Sequence, residues 1–444
     1  MIVYKFGGAS VNAPEGVRNL ARIVALSADR LLVIVSAMGK TTNGLEEVLE
    51  NMVAGQRQAA LDRFAQIEQY HNGIVEGLFG PGARIEAVQR IYDSARAMIG
   101  ACGAAAEDFP AEEAGSGSGV LCATPLAISA HEYDRLYDAL ASCGELLSTT
   151  IISEFLRREG IDNTWLDMRE CFITDERHRA ADVLLDQAGP RLQAAVAASP
   201  ERVLVGQGFI GATAGGETTT LGREGSDYSA AVAANILDAS QVVIWKDVPG
   251  ILNADPRLFP DTLLIPELTY LDAIELAYSG AQVIHPKTIK PLQNKQIPLY
   301  VRPFSDPAAT GSVIKGQMQD SIEVPILILK KGQVLVSVRP RDFSFVLEDR
   351  LLDVLRMFDD NGVKINLIQT SAVNLSLCVD AGRTLAAVIE QLHKEFRVVY
   401  NDSLELLTIR GYTPELYDRH AGAEGVYVSQ RTRRIVRIVR GQMQ

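Results

Sequence analysis

Short β-rich apolar runs, IVYKF, LLVIVS, NTWLD, RVLVGQGFIG, QVVIW and IPLYV, alternate over roughly the first 300 residues with helical patterns such as GVRNLARIVALSAD and AAVAANILDAS. A strand with one wet face alternates apolar and polar side chains, whereas a parallel strand covered by helices on both faces is apolar nearly throughout. The runs are of the second kind, so the first domain is expected to be α/β, a mostly parallel sheet sandwiched by helices. Residues 45 to 145 are mainly helical by composition, interrupted at 115–119 by GSGSG, which reads as a mobile loop.

The polar stretch KGQMQDSIEV at 315–324 ends this pattern and marks a domain boundary, giving a first domain over 1–315. From 325 to 402 the order changes to strand ILILKKGQVLVSV, helix DRLLDVLRMFDD, strands VKINLIQ and VNLSLCV, helix RTLAAVIEQLHKEF and strand RVVYN, a βαββαβ ferredoxin-like α+β unit. A shorter unit over 403–444 begins at LELLTIRG and ends in VYVSQRTRRIVRIVR; it has too few strands to stand alone and is expected to complete its sheet with another element.

A chain of 444 residues holds two or three domains of this kind. Its net charge of -12 argues against nucleic-acid binding, because a duplex binder needs a basic face. The five cysteines are widely spaced without a CxxC pair and read as free thiols, and the six histidines form no HExxH or Cys/His cluster, so a protein-built metal site is not expected. No signal peptide is evident, and no apolar run approaches the ~20 residues of a membrane span. The expected location is the cytoplasm.

Chemistry concentrates at strand ends. In IVYKFGGAS the strand carries Lys5 and delivers Gly7 and Gly8 into a turn, an arrangement that brings backbone N–H groups and a point charge to an anion. A plain strand end with a snorkelling lysine fits equally well. In VIVSAMGKTTNG another strand ends in Ser36 and a loop with Thr41 and Thr42, whose hydroxyls either face a ligand at the carboxyl edge of the sheet or cap a helix. In TTTLGREGSDYSAA, Arg223 can grip a carboxylate or phosphate in a fork, and Ser226 or Asp227 stands where a helix N-cap belongs. VVIWKDVPGILNADPR brings Lys246, Asp247 and Arg257 to turns after a buried strand, and His285 in GAQVIHPKT reads as a structural hydrogen-bond partner.

With KFGGAS, VSAMGKTTN, GELLST, GFIG, TTTLGREGSD, DVPGI, ADPR, GAQVIHP and IPLYV in this order, the chain resembles the aspartokinases of the amino-acid kinase superfamily over nearly its whole length. The resemblance implies phosphoryl transfer from Mg-ATP to the side-chain carboxylate of L-aspartate, on an amino-acid kinase fold followed by regulatory ACT domains. It implies that Lys5 stabilises the transferred phosphoryl group, that Gly7 and Gly8 donate backbone N–H groups, and that Asp227 orients Lys5. Thr42, Glu145, Arg223 and Ser226 would hold aspartate, Arg223 by its α-carboxylate and Glu145 by its ammonium. Ser36, Lys246, Asp247 and Arg257 would lie with the nucleotide. A carboxylate acceptor is already ionised at pH 7, so no general base is needed. Other readings are an amino-acid kinase with another acceptor, or an amino-acid-binding regulatory subunit of low activity.

Four positions depart from the family pattern: Ala9 for threonine in KFGGTS, Lys246 for threonine in TDVPG, Glu224 for glycine in GRGGSD, and Gln282 for lysine in GAKVLHP. Lys246 is expected to offset part of the charge lost at Gln282, and Glu224, beside an acidic substrate, to turn outward. In the first ACT unit INLIQTSAV puts Asn366 and Ala372, flanked by Ser371 and Val373, where lysine-sensitive relatives carry two effector-binding carboxylates. Weak or absent lysine feedback, or a different amino-acid effector at the ACT domain, is the expectation, with a homodimer or higher homo-oligomer formed through the ACT sheets. With the chain ending at Gln444, no fused homoserine dehydrogenase module is expected.

Overall fold

The structure, a computed structural model, describes residues 1–104, 128–281, 284–317, 324–341 and 348–442. GSGSG, Cys122 and Gln282 lie outside them. Contacts divide the chain into two compact units, the first made of Met1–Ile251, Pro266–Tyr270 and Ile284–Met318, the second of Leu252–Ile265, Leu271–Val283 and Gln319–Gln444. The division is not the single cut expected after residue 315, because two segments from before that point pack with the C-terminal part.

In the first unit the order is β1 (Ile2–Phe6), α1 (Pro14–Leu26), β2 (Leu31–Val35), α2 (Thr41–Val53), α3 (Arg57–Phe79), α4 (Glu86–Ala104), α5 (Ala130–Arg158), β3 (Asn163–Leu166), α6 (Met168–Cys171), β4 (Ile173–Thr174), α7 (Leu185–Ala198), β5 (Val203–Gln207), β6 (Ile210–Thr213), β7 (Thr218–Thr220), α8 (Gly225–Ile236) and β8 (Gln241–Lys246). β9 (Glu267–Thr269), α10 (Pro286–Lys295), β10 (Leu299–Pro303) and β11 (Ser312–Lys315) complete it, while α9 (Tyr270–Tyr278) belongs, but for its first residue, to the second unit. Among the described residues an eight-stranded sheet runs β3-β5-β2-β1-β8-β10-β11-β9, parallel except at β10–β11. All five side chains of β2 are buried, as a sheet covered on both faces requires. In α1 the buried Val17, Leu20, Ala21 and Val24 recur at helical spacing and face this core.

Helix α5 is long and apolar enough to cross a membrane by length and composition, against the sequence expectation. The window that meets this test is 89% buried in the protein, so α5 is the core helix of the first unit. The described cysteines Cys143, Cys171 and Cys378 are buried free thiols.

The second unit contains β12 (Ile326–Pro340), α11 (Glu348–Asp360), β13 (Ile365–Thr370), β14 (Leu375–Asp380), α12 (Leu385–Glu395), β15 (Phe396–Arg410), α13 (Pro414–Ala421), β16 (Val426–Arg431) and β17 (Ile435–Gly441). These strands form one sheet in the order β13-β14-β12-β15-β17-β16. The boundary expected between 402 and 403 falls inside the continuous β15. β12 is likewise shared: Ile326–Lys330 pairs with Leu406–Arg410, while Val336–Pro340 pairs with Phe396–Tyr400, with register shifts between the two halves. The segment ILILK thus supplies the strand that the C-terminal unit lacked.

Candidate active site

Strand β1 is central, its Lys5 in register with Ile34 of β2 and Ile244 of β8. Among these apolar neighbours a buried ammonium needs a counter-charge, and α8 provides it. Lys5 Nζ lies 2.6 Å from Asp227 Oδ1, and Lys246 Nζ, at the end of β8, lies 3.9 Å from Asp227 Oδ2. Burial alone would raise the Asp227 carboxyl, but the ammonium groups of Lys5 and Lys246 outweigh it and hold the group below its ordinary value. Asp227 is therefore an anion between two cations at the floor of a cavity of about 690 Å³.

The glycines after β1 allow close approach. A Cβ on Gly8 would sit 2.3 Å from the Ala37 carbonyl oxygen, and one on Gly7 would lie 3.6 Å from Lys5 Nζ. At Gly8 only a bare backbone lets the two strand-end loops meet, whereas the 3.6 Å at Gly7 is ordinary van der Waals contact.

Glu145, on the buried face of α5, forms another wall of the cavity. Its Oε1 accepts the Ala37 N–H at 3.3 Å, and among the described residues its buried Oε2 has no partner. Desolvation pushes the carboxyl up to about 8, the Ala37 hydrogen bond only partly opposing. A buried carboxylate with an open lone pair is stable only when a cation or donor arrives. Arg223, exposed and without an ion pair among the described residues, lines the same cavity.

The amino acid kinase family model matches residues 1–303. Lysine-sensitive aspartokinase 3 of Escherichia coli (strain K12) is 32% identical over 424 residues, covering 93% of this chain and 87% of the relative. The structure of E. coli aspartokinase III in complex with aspartate and ADP (R-state) superposes with a TM-score of 0.79 at 28% identity, covering 99% of this chain and 96% of that one. The same enzyme with lysine and aspartate (T-state) gives a TM-score of 0.77 at 27% identity, covering 99% and 95%. The chain belongs to the aspartokinases of the amino acid kinase family.

Gly7, Gly8, Ser36, Thr42, Ser226 and Asp247 also line the cavity. Arg257 does not; its guanidinium is held by Asp255 at 2.8 Å on an exposed turn of the second unit. The N-cap of α8 is neither Ser226 nor Asp227 but Glu224, in the left-handed conformation at φ 53°. Ser226 and Asp227 lie inside the first turn, where an acidic group suits the helix dipole. Glu224 does not turn outward: its Oε2 accepts the His285 N–H at 2.9 Å, tying the Arg223 loop to the start of α10. His285 is itself a cap, accepting from Lys287 N at 3.2 Å.

In the ACT sheet Asn366 is separated from the other expected effector residues. Its carboxamide is consumed within a polar cluster, donating to Gln333 Oε1 (2.8 Å) and Asp380 Oδ1 (2.7 Å) and accepting from Lys330 Nζ (3.0 Å). Lys330 also pairs with Asp380 at 2.6 Å. Ser371, Ala372 and Val373 lie on the exposed turn between β13 and β14.

The sequence reading missed Tyr137, Arg179 and Phe209 in the cavity wall. Phe209 lies in GFIG, one of the motifs that carry the resemblance, and its backbone adopts φ 68°. Tyr137 and Arg179 carried no local motif.

Proposed function

We propose that the chain is an aspartate kinase that transfers the γ-phosphoryl group of ATP to the side-chain carboxylate of L-aspartate, giving 4-phospho-L-aspartate and ADP, the first step towards lysine, threonine and methionine. The observation that carries this reading is the pairing, within one cavity, of the buried and half-satisfied Glu145 carboxylate with the Lys5–Asp227–Lys246 charge cluster. Glu145 suits an ammonium and Arg223 an α-carboxylate, with Thr42 and Ser226 adding hydroxyls. Lys5, the Gly7–Gly8 backbone, Ser36, Lys246 and Asp247 suit the triphosphate.

In the reaction a β-carboxylate oxygen forms a bond to the γ-phosphorus as the bond to the bridging β,γ-oxygen breaks, and ADP leaves with that electron pair. No proton moves, so positioning and charge neutralisation supply the catalysis. Lys5 neutralises charge on the transferring oxygens, and Asp227 fixes the lysine without a large rearrangement. Magnesium brought with the nucleotide would add charge neutralisation to that of Lys5 and Lys246; among the described residues no group of three His, Cys, Asp or Glu side chains converges to hold a metal.

The proposed catalytic part lies within 1–315, and the proposed ACT part spans 325–444, its two halves sharing β12 and β15, and associates into a homo-oligomer in the cytoplasm. The response to lysine is proposed to be weak or absent, because Lys330 and Asp380 already engage Asn366. A coupled assay for ADP release with aspartate, glutamate and UMP as acceptors tests the reading. Turnover is expected with aspartate, and turnover restricted to another acceptor would overturn it.

A further inference from the structure

The loop from Asp175 to Asp182 lies between β4 and α7, and Arg179 sits in it at φ 63°, a conformation costly to a residue with a Cβ. The protein enforces this conformation. The Arg179 N–H donates to both carboxylate oxygens of Asp138 at 3.1 Å. Asp138, fully buried on α5, also accepts from Thr220 Oγ1 at 2.5 Å and meets His178 Nδ1 at 2.9 Å. Lys287 Nζ reaches the carbonyls of Ala181 (3.2 Å) and Leu221 (3.4 Å), joining this loop to the segment before Arg223.

The two arginines share one turn. A Cβ on Gly222 would lie 3.1 Å from the Arg179 carbonyl oxygen, so the backbone of Arg179 abuts the residue preceding Arg223. Its guanidinium stands 4.2 Å from the ring centre of Tyr137, and both side chains line the cavity. Its anionic partners are Glu46 at 3.2 Å and Asp134 at 3.5 Å, with side chains 37% and 38% exposed. Pairs this exposed are weak and readily exchanged for a better anion.

We propose that Arg179 is a second acceptor-binding guanidinium: together with Arg223 it holds the α-carboxylate of the substrate amino acid, leaving Glu46 and Asp134 to do so. A carboxylate has lone pairs for two such donors. The Tyr137 ring presets the guanidinium plane, and the Asp138 anchor presets its backbone. The β-carboxylate is left to the Lys5 end of the cavity. This inference rests on the aspartate kinase reading above.

The test is initial-rate kinetics on the full chain, comparing wild type, Arg179→Met and Arg179→Lys with L-aspartate and with its α-amide, isoasparagine. With aspartate, Arg179→Met is expected to raise KM about 10- to 100-fold, the range for one charge-assisted hydrogen bond, with KM for ATP within about twofold. Arg179→Lys keeps the charge without the fork and should fall between. With isoasparagine the wild type and Arg179→Met should become equal, because the group that Arg179 reads is gone. An unchanged KM for aspartate in an active Arg179→Met enzyme overturns the inference, as does a penalty of equal size on isoasparagine. A loss confined to kcat and melting temperature marks Arg179 as structural and overturns it too. Failure of the wild type to phosphorylate aspartate overturns the underlying reading itself.

Discussion

Replacing Glu145 by glutamine removes a charge that the fold buries without a full set of partners. Burial holds the Glu145 carboxyl at about 8, against an ordinary 4.5. The gap, about 3.5 pH units, corresponds to about 5 kcal/mol between the charged and neutral forms at 1.36 kcal/mol per unit, as an upper bound. Below pH 4.5 the group is protonated in both the folded and unfolded chain and contributes no pH dependence. Between 4.5 and about 8 the unfolded chain ionises while the folded protein keeps its proton, so stability falls as pH rises; above 8 the loss is complete. Glutamine never ionises. The ligand-free Glu145→Gln protein should therefore match wild type near pH 4.5 and exceed it above pH 8, by up to about 5 kcal/mol. The same variant should lose aspartate affinity, with KM raised about 10- to 100-fold, because the substrate ammonium has lost its counter-charge. Denaturant melts at several pH values, paired with aspartate titrations, check both halves. A variant no more stable than wild type at pH 8.5, or one with an unchanged KM for aspartate, would refute the reasoning.

Lys5→Met should lower kcat about 100- to 1000-fold, the usual cost of removing a donor at a site of developing charge, measured under saturating ATP and aspartate. Lys246→Thr should raise KM for ATP severalfold; an unchanged value would show that this ammonium does not serve the nucleotide. Glu224→Ala loses the bond to His285 N and keeps the left-handed backbone, so it should destabilise by about 1.5–3 kcal/mol, whereas Glu224→Gly recovers about 1–2 kcal/mol of that. Equal melting temperatures for the two would show that no strain resides at φ 53°. Lysine at submillimolar concentration should leave activity unchanged, and strong inhibition would show that the Lys330 cluster does not close the site.

The sheet and the strand-end cavity were legible because their signals are local. A fully apolar IVYKF interrupted only by Lys5 announces a buried strand with a charge to place, and Gly7–Gly8 announces the close loop after it. The cap of α8 was misread because glutamate in the left-handed region violates the residue preferences of caps; its compensation, the His285 N–H, comes from a distant segment. Arg179 and Asp138 were invisible for a similar reason. Asp138 looks like one more charge on a helix, and only tertiary packing reveals that Thr220, His178 and the Arg179 amide converge on it. The shared strands of the second unit were hidden because ILILKKGQVLVSV reads as one strand of one sheet, and nothing local shows that its two halves pair with different stretches of β15.

Trapping the product with hydroxylamine tests the central claim most directly, since hydroxylamine displaces phosphate from an acyl phosphate and leaves a stable hydroxamate on the carboxyl group that was phosphorylated. Incubation of the full chain with Mg-ATP, L-aspartate and hydroxylamine should yield the β-hydroxamate of aspartate in step with ADP. ADP formed without hydroxamate, or a hydroxamate on the α-carbon carboxyl, would contradict an active site in which Arg223 and Glu145 hold one end of aspartate and Lys5 receives the other.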